Sequence, residues 1–189
     1  MKFSVLISTY YKCSPEYFDQ CIQSVWDAQT LRPNEIVLVQ DGPLSDALYQ
    51  VINKWKDVLG GTLKIIVLAK NIGTSGALNI GLSNCSHDFI AKMDTDDISL
   101  SNRFQDQIDF LIKNPNVDVV GAWISEIDEN NNIIKEIVEY PKAHEQCLSG
   151  FVCRNPIAHP TAMFRKSFFE KAGNYLVGIH FDDVALWHQ

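Results

Sequence analysis

Short apolar runs alternate with amphipathic stretches through the first half of the chain. Four runs have the length and composition of buried strands, at residues 3–8, 35–40, 63–68 and 89–93. Helical patterns separate these runs. Strands that alternate with helices predict right-handed βαβ units, and therefore an α/β fold with a mostly parallel central sheet flanked by helices.

Three helices are predicted between these strands. The first begins with Ser14 as its cap and Pro15 in its first position. Its apolar residues fall on one helical face: Phe18, Cys21, Ile22, Val25 and Trp26. A second helix is predicted at residues 45–59, and Asn71-Ile72-Gly73 opens the third.

The second half of the chain is predicted to begin with a helix that Ser101 caps and Asn114-Pro115 ends. Its apolar face comprises Phe104, Ile108, Leu111 and Ile112. Strands at residues 117–127 and 133–138, joined by a polar turn, then predict a hairpin.

Polar side chains follow each of the four early strands. In order they are Thr9 and Tyr11, then Asp41, then Asn71 with Gly73, then Asp94, Asp96 and Asp97. In an open parallel sheet, ligands bind beyond the carboxyl ends of the strands. Each group alone is typical of an ordinary turn, but the set at successive strand ends predicts one ligand site.

Three carboxylates lie within four residues at the end of the fourth strand. In an extended chain, Asp94 and Asp96 would point to the same side. Neighbouring acids repel one another unless a cation neutralises them, and Mg²⁺ or Mn²⁺ prefers oxygen ligands. The cluster therefore favours a metal site, with a solvated acidic turn before a helix as the alternative.

Composition narrows the class of protein. The 189 residues suit one α/β domain, and a net charge of −7 argues against nucleic acid as a partner. No apolar run approaches the ~18 residues of a membrane span, and no signal pattern begins the chain. Five scattered cysteines without a CxxC pair indicate reduced thiols, as in a cytoplasmic protein.

Ordered motifs extend along nearly the whole chain. In the first half they are Thr9-Tyr10-Tyr11, Gln40-Asp41-Gly42, Asn71-Ile72-Gly73 with Ala77-Leu78-Asn79, and Met93-Asp94-Thr95-Asp96-Asp97. In the second half they are residues 103–107, Val120-Gly121, residues 155–161, Phe164-Arg165, and Asp182-Asp183 before Leu186-Trp187. The series resembles family 2 glycosyltransferases, which have the Rossmann-like GT-A fold, and within them a bacterial branch for polysaccharide, O-antigen or capsule synthesis.

The resemblance implies roles in binding a UDP- or GDP-type sugar donor. Thr9, Tyr11 and Asp41 would hold the base, with Tyr11 stacked on it. Asn71 and Gly73 would border the same donor. The acidic motif would contact the ribose and hold Mg²⁺ or Mn²⁺ at the diphosphate. Asp94 and Asp96 would face the donor, and Asp96 is the first choice of metal ligand, ahead of Asp97 and Asp94.

Two positions depart from the family pattern. Leu78 and Lys92 stand where the family often has arginine. Leucine cannot contact a phosphate, so any such role is absent or moved. Lysine keeps the charge but lacks the planar fork of a guanidinium.

The resemblance also implies a catalytic base in the second half. Asp183 matches the second member of the family's acidic pair, which takes the proton of the acceptor hydroxyl. Asp182 matches the first member, usually glutamate, and His159 would lie on the acceptor side. The alternative is an acidic helix start at residues 182–183 and a structural histidine.

The function implied is an inverting transfer of a sugar to a hydroxyl of a glycan or lipid-linked glycan, in cell-surface polysaccharide synthesis. Residues 1–97 would form the nucleotide-sugar half of a single domain and residues 98–189 the acceptor half. Family members usually continue beyond the position of Gln189, so we expect a further C-terminal region and, through it, association with the inner face of the cytoplasmic membrane. The alternatives are a noncatalytic nucleotide-sugar-binding module and a nucleotidyltransferase, the latter disfavoured because no glycine-rich basic loop lies near the N-terminus.

Overall fold

A computed structural model describes residues 1–150, 155–179 and 182–188, without the side chain of Asp182. Its strands are β1 Phe3–Thr9, β2 Glu35–Gln40, β3 Leu63–Val67, β4 Phe89–Met93, β5 Val119–Val120, β6 Ile124–Ile127, β7 Ile133–Val138 and β8 Met163–Arg165. Its helices are α1 Pro15–Trp26, α2 Asp46–Leu59, α3 Thr74–Asn84, α4 Arg103–Lys113, α5 His144–Gly150, α6 Lys166–Ala172 and α7 Asp182–Trp187. Short 3₁₀ turns lie at Gly60–Thr62 and His159–Thr161. None of the helices in these ranges is long and apolar enough to cross a membrane.

Six strands form the central sheet, in the order β3-β2-β1-β4-β8-β5. The four early strands run parallel, and β8 is antiparallel to both of its neighbours. This confirms the predicted α/β fold with a mostly parallel sheet. The carboxyl ends of β1, β2 and β4 consequently lie side by side at one edge.

The core occupies both faces of the sheet, because successive strand residues point to opposite sides. On one face Phe3, Val5 and Ile7 pack with α1, α2 and α4. On the other face Leu6 packs with α3 and with Leu186 of α7. Helices cover both faces, as burial of a parallel sheet requires.

The cap predicted for the first helix is confirmed. Ser14 accepts a hydrogen bond from the amide of Tyr17, with Pro15 in the first turn. The second helix has a cap of the same kind, since Ser45 accepts a hydrogen bond from the amide of Leu48. The third helix begins directly after Gly73, whose φ of 85° is the conformation that glycine adopts most readily.

The cap predicted for α4 is wrong. The helix begins after Asn102, and no side chain caps it. Ser101 instead lies in the preceding loop, where its carbonyl accepts from the amide of Thr30 at 2.8 Å. Ile112, predicted on the apolar face, is 47% exposed.

The single strand predicted at residues 117–127 is also wrong, because the chain leaves the main sheet at Gly121. Residues 119–120 pair with β8, whereas residues 124–127 pair with β7 in a separate hairpin. A Cβ on Gly121 would lie 2.5 Å from the Cγ2 atom of Ile157. Packing against a distant segment, rather than local preference, therefore divides this strand.

Candidate functional site

A cavity of about 620 Å³ opens at the carboxyl edge of the sheet; we call it the first cavity. Its lining comprises Ser8, Thr9, Tyr10, Lys12, Cys13, Ser14, Tyr17, Asp41, Asn71, Gly73, Thr74, Asp94, Thr95 and Asp96. The structure thus brings together residues from four successive strand ends, as topology predicts. Tyr11 is not part of the lining: its ring is 56% exposed and packs edge-on against Tyr10.

Asp41 organises the loop that precedes α3. Its side chain is buried, and its two carboxylate oxygens accept from the amides of Ile72 at 2.7 Å and Gly73 at 3.0 Å. The close approach requires Gly42, since a Cβ there would lie 2.6 Å from the amide nitrogen of Asn71. Asp41 therefore has a structural role that the sequence did not indicate.

Thr9 ends β1 beside this loop. Only 1% of the residue is exposed, and its hydroxyl has no hydrogen-bond partner in the described structure. A buried polar group without a partner is uncommon in proteins. The hydroxyl of Thr9 is accordingly a candidate contact for a ligand.

The acidic turn, residues 94–97, does not continue the strand: Thr95 and Asp96 form a turn. The expectation that Asp94 and Asp96 share a side in an extended chain is wrong. Two thiols hold this turn: the Cys21 thiol donates to the carbonyl of Asp94 at 3.1 Å, and the Thr95 hydroxyl donates to Cys13 at 3.2 Å. Burial, with the nearby acids, raises the pKa of the Cys21 thiol well above its ordinary value, which keeps it a donor.

A buried lysine neutralises one acid of the turn. Lys92, only 2% exposed, forms an ion pair with Asp94. Burial acts to raise the pKa of Asp94, but the charge of Lys92 and its hydrogen bond hold that pKa below its ordinary value. Lys92 thus has a partner within the protein, two residues along the chain.

Arg103 supports the same strand end from α4. Its guanidinium donates to the carbonyl of Lys92 at 2.8 Å and to the side chain of Gln107 at 3.1 Å. Burial lowers the pKa of Arg103 to about 10, so it remains charged at neutral pH. The sequence alone indicated no role for Arg103, although this residue begins the motif at residues 103–107.

The other two acids of the turn have less compensation. Burial and then the charges of Asp94 and Asp96 raise the pKa of Asp97 to about 6. Asp96 is exposed at the rim of the first cavity. A divalent cation fits this pair, because acids that repel one another favour a cation, and Mg²⁺ in phosphate sites takes only one or two carboxylates. Within the described residues there is no cluster of three or more protein ligands that would hold an ion without a phosphate.

A second cavity of about 510 Å³ adjoins the first. Its lining comprises Thr74, Lys92, Asp94, Ile124, Tyr140, Asn155, Ala158, His159, Pro160 and Asp183. Thr74 and Asp94 border both cavities. The structure therefore brings His159 and Asp183 to one space, next to the acidic turn.

His159 is neutral in this structure. Its Nε2 atom lies 2.7 Å from the hydroxyl of Tyr175. Burial and the charge of Lys92 lower the pKa of His159 to about 3, so the ring does not hold an extra proton at physiological pH. The side chain of Asn79 holds Tyr175 in place. It accepts a hydrogen bond from the backbone amide of Tyr175 at 2.9 Å and donates one to the carbonyl of Tyr175 at 2.8 Å.

Asp183 lies in the first turn of α7. One carboxylate oxygen accepts from the amide of Val184 at 2.8 Å, and the other accepts from the side chain of Asn155. The other acid of the pair, Asp182, has its backbone in α7, but its side chain lies outside the described residues. Asn155 belongs to a quoted motif, but sequence reasoning gave it no role.

The chain resembles known proteins along its length. The model of the protein family described as "Glycosyl transferase family 2" matches residues 4–173 of this chain. The amylovoran biosynthesis glycosyltransferase AmsE of Erwinia amylovora is 40% identical over 98% of this chain and 68% of its own length. A UDP-Gal:alpha-D-GlcNAc-diphosphoundecaprenol beta-1,3-galactosyltransferase of Escherichia coli is 34% identical over 98% of this chain and 66% of its own length.

Solved structures support the fold at lower identity. TarS 1–349 of S. aureus in complex with UDP-GlcNAc has a TM-score of 0.74 at 19% identity and covers 99% of this chain. Mannosyltransferase PcManGT from Pyrobaculum calidifontis, in complex with GDP-Man and Mn²⁺, has a TM-score of 0.70 at 15% identity and covers 98%. The chain spans 52% and 50% of those two proteins. The predicted GT-A fold is confirmed, and the chain belongs to glycosyl transferase family 2.

Proposed function

We propose that the protein transfers a sugar, with inversion and with the help of a divalent metal, from a nucleotide-diphosphate donor to a hydroxyl of a lipid-linked glycan. The observation that carries this proposal is the pair of adjoining cavities. One is lined by residues 94–96 of the acidic turn, the other is lined by Asp183, and both are bordered by Asp94. Such an arrangement suits a single displacement between a donor on one side and an acceptor on the other.

The first cavity is the proposed donor site. Its about 620 Å³ lies within the range of small-molecule pockets, and its lining is rich in hydrogen-bonding groups. The unpartnered hydroxyl of Thr9 and the rim residues Asn71 and Gly73 would contact the nucleotide. Asp41 would accept from the base while it holds the loop, because a carboxylate has more acceptor sites than its two amide partners use. Tyr10 borders the cavity and replaces Tyr11 as the candidate for stacking.

Asp96 and Asp97 would hold Mg²⁺ or Mn²⁺ at the donor's diphosphate. Such an ion, when bound, screens the diphosphate and stabilises the charge that develops on the leaving nucleotide. Asp94, paired with Lys92, is left to contact the ribose. The complex of PcManGT with GDP-Man and Mn²⁺ supports this combination of nucleotide and metal.

Asp183 is the proposed base. An inverting transfer needs one group that takes the proton of the acceptor hydroxyl, within hydrogen-bond reach of it. His159 in the same cavity is a poor candidate, because a pKa of about 3 gives its ring little affinity for a proton. His159 would instead form a neutral wall of the acceptor side, held by Tyr175.

The relatives support a place in cell-surface polysaccharide synthesis. One acts in amylovoran biosynthesis, and another is named for a sugar acceptor on diphosphoundecaprenol. Residues lining the first cavity all fall within 1–97, the proposed donor half, whereas the second cavity draws most of its lining from the proposed acceptor half, 98–189. An acceptor of this kind would bring the protein to the inner face of the cytoplasmic membrane.

A panel of nucleotide sugars, tested by thermal shift with and without Mn²⁺, identifies the donor, because a ligand of the folded state raises its stability by mass action. The identified donor is then incubated with GlcNAc-diphosphoundecaprenol, and the products are separated. A glycosylated lipid supports the proposal. Bound but unreacted donor would indicate a noncatalytic binding module, and released pyrophosphate would indicate a nucleotidyltransferase.

A further inference from the structure

Asn155 connects two distant segments at the second cavity. Its side-chain nitrogen donates to Oδ2 of Asp183, 28 residues further along the chain. The two ends of an asparagine amide are assigned from their hydrogen bonds. The reverse orientation would set the amide oxygen against a carboxylate oxygen, two acceptors without a proton between them. The donating orientation is therefore the favourable one.

That orientation leaves the other end of the amide without a partner. The Oδ1 atom of Asn155 is buried and accepts no hydrogen bond within the described structure. A buried acceptor left unpaired lowers the stability of the fold, because the hydrogen bond that it made with water is not replaced. Leucine has a similar size and carries no polar atom, so packing alone would favour it here. An unsatisfied buried group calls for an explanation, and the contact with Asp183 provides one.

The contact restrains the carboxylate of Asp183 at both oxygens. Oδ1 accepts from the amide of Val184 and Oδ2 from Asn155, so rotation of the carboxylate breaks at least one bond. The charged and titratable groups around the same cavity are Lys92, Asp94, Tyr140 and His159. Lys92 is paired with Asp94 and His159 is neutral.

We propose that Asn155 is a positioning residue, whose amide fixes the orientation of the Asp183 carboxylate in the second cavity. The inference rests on the proposed function and adds to it a residue that acts through the base. Asn155 should influence the chemical step rather than donor binding, since it borders the second cavity and not the first.

Asn155→Leu tests the proposal in a transfer assay with UDP-galactose and GlcNAc-diphosphoundecaprenol. We expect kcat to fall roughly tenfold to a hundredfold, the scale of a slightly misplaced reacting group, with the KM for UDP-galactose unchanged. Asn155→Asp should lower kcat at least as far, because it replaces the donor with a second carboxylate beside the first.

Thermal unfolding separates this role from a structural one. Asn155→Leu should unfold at no lower temperature than the wild type, because it removes the unpaired carbonyl along with the donor. Asn114→Leu is the matched control, since Asn114 also donates its amide, to the carbonyl of Phe110 at the exposed end of α4. The control should keep the wild-type kcat. An Asn155→Leu enzyme with the wild-type kcat, or one that loses kcat together with its unfolding temperature, would overturn the proposal.

A second measurement does not depend on transfer. Carboxyl ¹³C NMR observes Asp183 directly, and its signal is identified by its loss in Asp183→Asn. The chemical shift of that signal at pH 7.5 should change in Asn155→Leu, because the carboxylate has lost a hydrogen bond. A changed chemical shift in a protein that transfers no sugar would leave the positioning role standing and reject the proposed function. Transfer by the wild type, with neither the chemical shift nor kcat changed in Asn155→Leu, would reject the positioning role alone.

Discussion

The acids of the turn at residues 94–97 and the acid Asp183 have different surroundings, although the two cavities adjoin. In the acidic turn, Asp94 is neutralised by Lys92, but its neighbours raise the pKa of Asp97, along with burial, to about 6. Asp183 instead receives hydrogen bonds from an amide and a backbone N–H. The turn is thus short of positive charge, whereas Asp183 is restrained by neutral donors.

The difference matches the two kinds of chemistry that a sugar transfer needs. A group that binds a cation gains from unrelieved negative charge, because the ion removes the repulsion. A general base must instead be oriented and free to take one proton.

The largest effect is expected from Asp183→Asn, which keeps the size of the side chain and removes its basicity. Transfer should fall by roughly 10²–10⁴-fold, the usual contribution of general-base catalysis. Donor affinity, measured by calorimetry, should change little, because the lost interaction belongs to the transition state. Near-normal turnover would remove Asp183 as the base and end the contrast between the two cavities.

The next effect is expected from Asp96→Ala. Loss of a charged ligand should weaken Mn²⁺-dependent binding of the donor nucleotide by roughly 1.5–3 kcal/mol, the value of a bond to a charged group. The fold should be unaffected, because Asp96 is exposed. Calorimetry of UDP or GDP binding, with and without Mn²⁺, measures the affinity for the nucleotide and its dependence on the metal. Equal affinity and equal metal dependence in the variant would show that the ion, if any, binds elsewhere.

The smallest effect is expected from Asp97→Asn, which should stabilise the protein against unfolding. The folded protein raises the pKa of Asp97 from 3.8 to about 6, so the fold disfavours its ionised form. The cost of ionising Asp97 in the folded protein therefore leaves stability intact at pH 4 and lowers it as the pH rises through 6. Asp97→Asn does not ionise, so at pH 7.5 the variant should be more stable than the wild type by roughly 1–2 kcal/mol, after allowance for partial exposure.

Chemical denaturation at pH 4 and pH 7.5, without metal, measures this difference. Asp57→Asn is the matched control, since Asp57 is an exposed acid on α2. The control should show no such pH dependence. Stabilisation of Asp97→Asn that is equal at both pH values would contradict an electrostatic origin.

The sequence predicted the general location of the site better than its internal contacts. The strand ends that carry Thr9, Asp41 and Asn71 converge on one cavity, since topology alone brings parallel strand ends together. The sequence could not predict that Tyr10 rather than Tyr11 lines the first cavity, because the outcome depends on how one short loop packs. The sequence also could not predict the hydrogen bond between Asn155 and Asp183, since it joins residues 28 positions apart.

The sequence by itself determined the order of the early strands and helices, the cap at Ser14, and the family, because these depend on local periodicity, local hydrogen bonds and ordered motifs. Only the tertiary structure decided how the acids are compensated. Lys92 is buried against Asp94 by strand pairing, and Arg103 reaches the same strand end from α4. Tertiary packing also divided the strand expected at residues 117–127, where Ile157 leaves room for nothing larger than Gly121. Burial and contacts between distant segments set these outcomes, and neither is encoded in the pattern of any one segment.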